Sequence, residues 1–97
     1  MENIFLPNQR ILILQGLEKD AGRTLSNEML QRLLKSYGHT VSLGDVNELV
    51  NWLERRGYVR TERLADKALV LVTLTRPGLD VALGLLRADG IDPPFEE

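Results

Sequence analysis

Asn47, Asn51 and Arg55 stand four residues apart in a stretch that also carries Arg56, Arg60, Arg63 and Lys67. On a helix the first three would climb one side. An asparagine amide can pair bidentately with adenine, and a guanidinium can do the same with guanine. The cations that follow suit phosphate oxygens, which every base order presents. These seven are the candidate nucleic-acid contacts, with duplex DNA as the expected partner. Acids qualify that expectation. Between Ser42 and Lys67 the five bases are matched by five acids, Asp45, Glu48, Glu54, Glu62 and Asp66. Phosphate attraction supplies most non-specific affinity, so one copy alone offers little of it. Asp45 suits a helix's first turn, where the macrodipole favours acids. Glu48 lacks that explanation, although a carboxylate can accept from cytosine.

Other chemistries are poorly supplied. The chain has no cysteine, so neither a disulfide nor a thiolate metal site is available. His39 is the single histidine and has no second ligand to share a metal, nor can it serve Ser26, Ser36 and Ser42 as more than an isolated base. Ser26 and Ser42 are better read as helix caps. The glycines mark helix ends and turns, and none forms a phosphate-binding loop. No catalytic residue, metal site or cofactor is expected, and the chain does not read as an enzyme. Trp52, the only tryptophan, is expected to lay its ring over the wing or the second helix. An interface anchor is the alternative.

The positioning elements follow from periodicity. Val46, Leu49, Val50 and Leu53 repeat at helical spacing between a capping Ser42 and a terminating Gly57. That predicts a third helix whose outward face carries Gly44, Glu48, Asn51 and Arg55, with Asp45, Asn47 and Trp52 on its flanks. Two β-rich runs, Tyr58 to Leu64 and Leu69 to Thr75, surround a polar break at residues 65–68 and predict a hairpin wing. Upstream, a first helix over residues 9–20 is expected with Asn8 as its cap. A second is expected over residues 24–37, capped by Thr24 or Ser26, with at most an edge strand at His39-Thr40-Val41. Downstream, Thr75 caps a fourth helix running to about Arg87, and Pro93-Pro94 keep the remainder extended. The fold class is mainly α with a small β-hairpin wing. This is a winged helix-turn-helix over residues 1–88, followed by an extended acidic tail over residues 89–97.

Ninety-seven residues, 43% apolar and 27% charged, suit one globular domain. Net charge is −2. Four of the fourteen acids, Asp89, Asp92, Glu96 and Glu97, lie in the base-free tail, so residues 1–88 set twelve bases against ten acids and carry +2. No apolar run could span a bilayer, and the N-terminus lacks a basic leader, so a cytoplasmic protein without a membrane partner is expected. Leu12 points away from Ile11, Ile13, Leu14 and Leu17. Val81 and Leu85 form a second stripe on the fourth helix. With the Ile4-Phe5-Leu6 arm they are the expected homodimer surface.

The segment from Leu49 to Val59, with its Leu53-Glu54-Arg55-Arg56-Gly57-Tyr58 helix exit, and the segment Leu74-Thr75-Arg76-Pro77-Gly78 resemble the bacterial winged-helix repressors of the multidrug-resistance and arsenic-sensing kinds. The resemblance covers about residues 8–87. A narrower one, carried by Leu74 to Gly84 and Gly90-Ile91-Asp92-Pro93, is to small uncharacterised winged-helix proteins of Mu-like phages and prophages. The first implies a DNA-binding transcriptional regulator; the second brings no activity with it. Winged helices also serve as protein-docking modules, so a non-DNA-binding phage accessory protein stands as the other expectation.

Overall fold

The run Ile11-Leu12-Ile13-Leu14 is buried at every position. Four consecutive helical residues point in four directions, so the helix that carries them must be covered all round. A computed structural model, which describes residues 3–64 and 69–94, shows how. The elements in order are α1 (Leu6–Lys19), β1 (Thr24–Ser26), α2 (Asn27–Ser36), α3 (Leu43–Arg55), β2 (Val59–Arg63), β3 (Val70–Leu74) and α4 (Arg76–Ala82). Helix α1 packs against α2, α3, α4 and β3. The strands form an antiparallel sheet in the order β1-β3-β2. The architecture is a winged helix-turn-helix, mainly α with a small β wing.

Several boundaries differ from expectation, each for a local reason. Asn8 does not cap α1, because its Oδ1 sits 2.9 Å from His39 Nε2. The helix begins at Leu6 instead, with Pro7 in the first turn where a missing N–H costs nothing. Residues 24–26 are a strand rather than the start of α2. β3 is rich in β-branched side chains and takes a neighbour on each edge, pairing Thr24 with Thr73 and Ser26 with Leu71. Ser26 then caps α2 by accepting from the Met29 N–H at 3.1 Å. No strand forms at residues 39–41. Gly38, at φ +91°, closes α2, and the His39 N–H returns to the Leu34 carbonyl at 2.9 Å. Helix α4 stops at Ala82 rather than about Arg87, because Gly84 turns left-handed at φ +81°.

The expected dimer stripe is corrected by the same packing. Leu12 and Val81 are 4% and 2% exposed, so both belong to the core beneath α1 and α4. Leu85, beyond the shortened α4, is 75% exposed. Nor does the chain leave the body at residue 88. Ala88 and Ile91 pack on the core, and the Asp92 N–H donates to the Pro7 carbonyl at 3.1 Å. Phe95, Glu96 and Glu97 lie outside the described residues.

The two segments that carry the repressor resemblance meet in one joint. Thr75 Oγ1 accepts from the Gly78 N–H at 3.1 Å and donates to the Gly57 carbonyl at 2.6 Å. The Thr75 N–H donates to the Tyr58 carbonyl at 3.2 Å. Gly78 is required there because a Cβ would collide with the Tyr58 carbonyl and the Leu74 side chain. Gly78→Ala should therefore destabilise the fold by about 1–3 kcal/mol. Gly22→Ala, whose Cβ would approach only Asp20 Oδ2 at 3.5 Å, should stay within about 0.5 kcal/mol of the parent. Urea denaturation of the two variants compares them directly, and equal midpoints would refute the joint's tightness.

Candidate nucleic-acid interface

Helix α3 is fixed at both ends before its outward face matters. At its start, the Asp45 N–H donates to Ser42 Oγ at 3.0 Å and the Ser42 N–H to Asp45 Oδ2 at 3.2 Å, a reciprocal capping box. At its end, Gly57 takes φ +84° and the Tyr58 N–H returns to the Leu53 carbonyl at 3.0 Å. Val46, Leu49, Val50 and Leu53 are buried. That leaves Gly44, Glu48, Asn51 and Arg55 exposed in a single row. The row offers a carboxylate acceptor, an amide that both donates and accepts, and a guanidinium donor.

The two flanks of α3 are tied to different parts of the molecule. On one, Asn47 Oδ1 accepts from Asn27 Nδ2 at 3.0 Å, and Asn27 Oδ1 accepts from the Val70 N–H at 3.2 Å. Two turns further on, Glu54 Oε2 accepts from both the N–H and the hydroxyl of Thr61, at 3.0 and 2.8 Å. The wing is thus hydrogen-bonded to the helix by a charged acceptor, which makes stronger bonds than a neutral one. Period-two alternation places Arg63 on the face of β2 that carries Thr61, and Arg60 with Glu62 on the other. Both arginines are exposed.

On the opposite flank, Trp52 is held by cations. The guanidinium carbons of Arg10 and Arg56 lie 3.8 and 4.3 Å from its ring centroid. Arg10 Nη1 donates to the Gly90 carbonyl at 2.9 Å, and a Cβ on Gly90 would come within 3.0 Å of the indole. Burial, and then the charge of Arg56, lower the Arg10 pKa. The Arg10 Nε is buried without an acceptor among the described residues. Stacking on the indole face compensates part of that cost. Trp52 thus lies against α1 and the C-terminal segment, through Arg10 and Gly90, where the sequence points to the wing or α2. A cleft of about 550 Å³ opens between the first turns of α1 and the outward side of α3, with Arg10 on one wall and Glu48, Asn51 and Arg55 on the other.

The seven candidate contacts therefore separate. Asn51 and Arg55 stand together in the exposed row, with Arg63 on the adjoining face of the wing. Asn47 is half-buried on the flank, and its carbonyl oxygen accepts from Asn27. Arg56 is turned toward Trp52. Arg60 is exposed on the far face of β2, and Lys67 lies outside the described residues. Sequence reasoning missed Asn27 and Arg10, since single polar residues with distant partners leave no periodic signal. The Glu54–Thr61 contact was more accessible, because a helix exit followed by a turn brings such positions side by side.

Because Trp52 is the only tryptophan, its emission reports on this flank alone. Gly90→Val should shift that emission to the red and cost about 1–2 kcal/mol, since φ +83° also penalises any side chain. Gly38→Ala carries a similar φ penalty but has nothing within 4 Å, and it should leave the emission in place. A red shift in both would detach the signal from the Gly90 contact.

No family model matches the chain. Among solved structures, the apo form of a double mutant of Lactococcus lactis ZitR superposes with a TM-score of 0.62 at 23% identity, covering 80% of this chain. The chain spans 54% of ZitR's length, so that likeness shows the fold. An uncharacterised protein of Haemophilus influenzae is 30% identical over 69 residues, covering 71% of this chain and 67% of its own. The uncharacterised protein gp26 of Escherichia phage Mu is 34% identical over 94 residues, 97% of this chain and 95% of its own. With so much of both chains aligned, the protein belongs to the family of phage Mu gp26.

Proposed function

We propose that this protein is a small DNA-binding regulator of phage type, reading duplex DNA with the Glu48-Asn51-Arg55 row and holding backbone with the wing. The observation that carries this is the exposed row itself, fixed at both ends and bonded to the wing through Glu54 and Thr61. A helix so presented fits the major groove, and the adjoining strand reaches the flanking phosphates. In this reading Asn51 and Arg55 contact bases, Arg63 contacts phosphate from the α3 side of the wing, and Asn47 holds the helix in place. Fluorescence anisotropy on mixed-sequence duplexes across a salt series tests it. Affinity should fall steeply with salt. Arg55→Ala should cost about 1–3 kcal/mol on a selected site and relax preference at one position. Arg63→Ala should weaken all sequences alike and reduce the salt slope by about one. Absence of salt-dependent binding would overturn the proposal.

A homodimer completes the reading. Ile4, Phe5, Leu83, Leu85 and Leu86 are all exposed. The Asp92–Pro7 hydrogen bond and the packing of Pro94 beside Gly84 draw the two segments toward one end of the molecule. So much apolar surface on a small domain marks a covered face, and a two-fold pair would double the phosphate contacts that a single neutral surface lacks. The same patch favours the second reading, a module that docks on another protein. Sedimentation at micromolar concentration separates the two. A parent dimer that Leu85→Asp converts to monomer, with the melt unchanged, supports self-association, whereas a monomeric parent removes it.

A further inference from the structure

Helix α2 presents Arg32 and Lys35 three residues apart on one exposed face. The turn after α2 is drawn in beside them, because Gln31 Nε2 donates to the Val41 carbonyl at 2.9 Å. This places exposed Thr40 next to the two cations. Gln31, Arg32, Lys35, Thr40 and Val41 together line a notch of about 290 Å³. Its polar groups are a guanidinium, an ammonium, a hydroxyl and an amide, with no carboxylate among the lining residues. Such a set recognises one chemistry best, a tetrahedral oxyanion. Val41 also lines the larger cleft that contains Glu48, Asn51 and Arg55, so the notch adjoins the reading row near the start of α3. The wing is bonded at the other end of α3, through Glu54.

We propose that the Arg32–Lys35–Thr40 notch is a second backbone site, holding a DNA phosphate across the groove from the one met by Arg63. The assignment rests on the DNA-reading proposal and adds to it the strand and the residues. Cations then flank α3 at both ends, and a helix lying in the major groove has a phosphate ridge on each side. It also adds two cations to a surface whose α3 and wing residues are electrically balanced.

The test is a salt series by anisotropy on one mixed-sequence duplex, with the parent, the double variant Arg32→Ala/Lys35→Ala, and the charge-keeping variant Arg32→Lys/Lys35→Arg. Thermal melts confirm that all three fold. The expected result is a salt slope shallower by about one to two in the double alanine variant and affinity about tenfold weaker at low salt. The charge-keeping variant should retain the parental slope. Parental binding with an unchanged slope in the double alanine variant overturns the notch and leaves the reading helix standing. A parent that shows no salt-dependent binding overturns both.

Discussion

A fully buried amide joins α3 to the wing. Asn27, the first residue of α2, is 0% exposed. Its oxygen accepts from the Glu28 and Val70 N–H groups at 3.0 and 3.2 Å, while its nitrogen donates to Asn47 on α3. One side chain thereby fixes three elements relative to one another: the start of α2, the flank of α3 and the first residue of β3. A buried amide is costly unless satisfied and highly directional once it is. That directionality matters for a helix meant to present a row of side chains, since apolar packing alone tolerates small rotations. The Glu54–Thr61 bonds act on the same flank of α3 further along, so rotation about the helix axis is opposed at two points.

The joint built by Thr75, Gly78, Gly57 and Tyr58 does the corresponding work behind the wing. It fastens the exit of α3 to the start of α4, so that β2 leaves and β3 returns at fixed positions. These are the residues through which the chain resembles winged-helix repressors. Their role here is mechanical: one hydroxyl serving two backbone groups and one glycine admitting a carbonyl. A pattern of this kind transfers a fold between proteins far more firmly than it transfers a ligand.

This division explains what the sequence made legible. Helix α3, its cap at Ser42, its stop at Gly57 and its exposed row were all readable, because periodicity and capping are local. The wing was readable because β-branched runs bracket a polar break. Strand β1 was not, since three residues ahead of a good helical stripe look like its first turn, and only pairing with β3 reveals them. Leu12 and Val81 were misplaced for a related reason. A one-sided wheel assigns every apolar residue off the main stripe to solvent, whereas α1 is covered on all sides and α4 is wedged against it. Asn47 was legible as a polar flank residue but not as a partner of Asn27, because nothing in a sequence announces a contact twenty positions away.

The balance of charge between Ser42 and Lys67 changes meaning once its members are located. Asp45 closes the capping box and Glu54 bonds the wing, so two of the acids serve the scaffold that aims α3. Glu62 sits beside Arg60 on the face of β2 away from Thr61. Glu48 stands in the exposed row, between Gly44 and Asn51. In the proposed mode of reading, this row repels phosphate at one step and attracts a guanine edge two turns on, through Arg55. A surface of that kind gains little from backbone attraction wherever it lands, and depends on matching its donors and acceptors to base edges. Weak general attraction then favours discrimination, since non-specific sites compete less. In that mode of reading, what α3 and the wing lack in net charge comes from cations placed outside them or from a second copy, which is why the exposed face of α2 and the apolar end of the molecule matter to the row on α3.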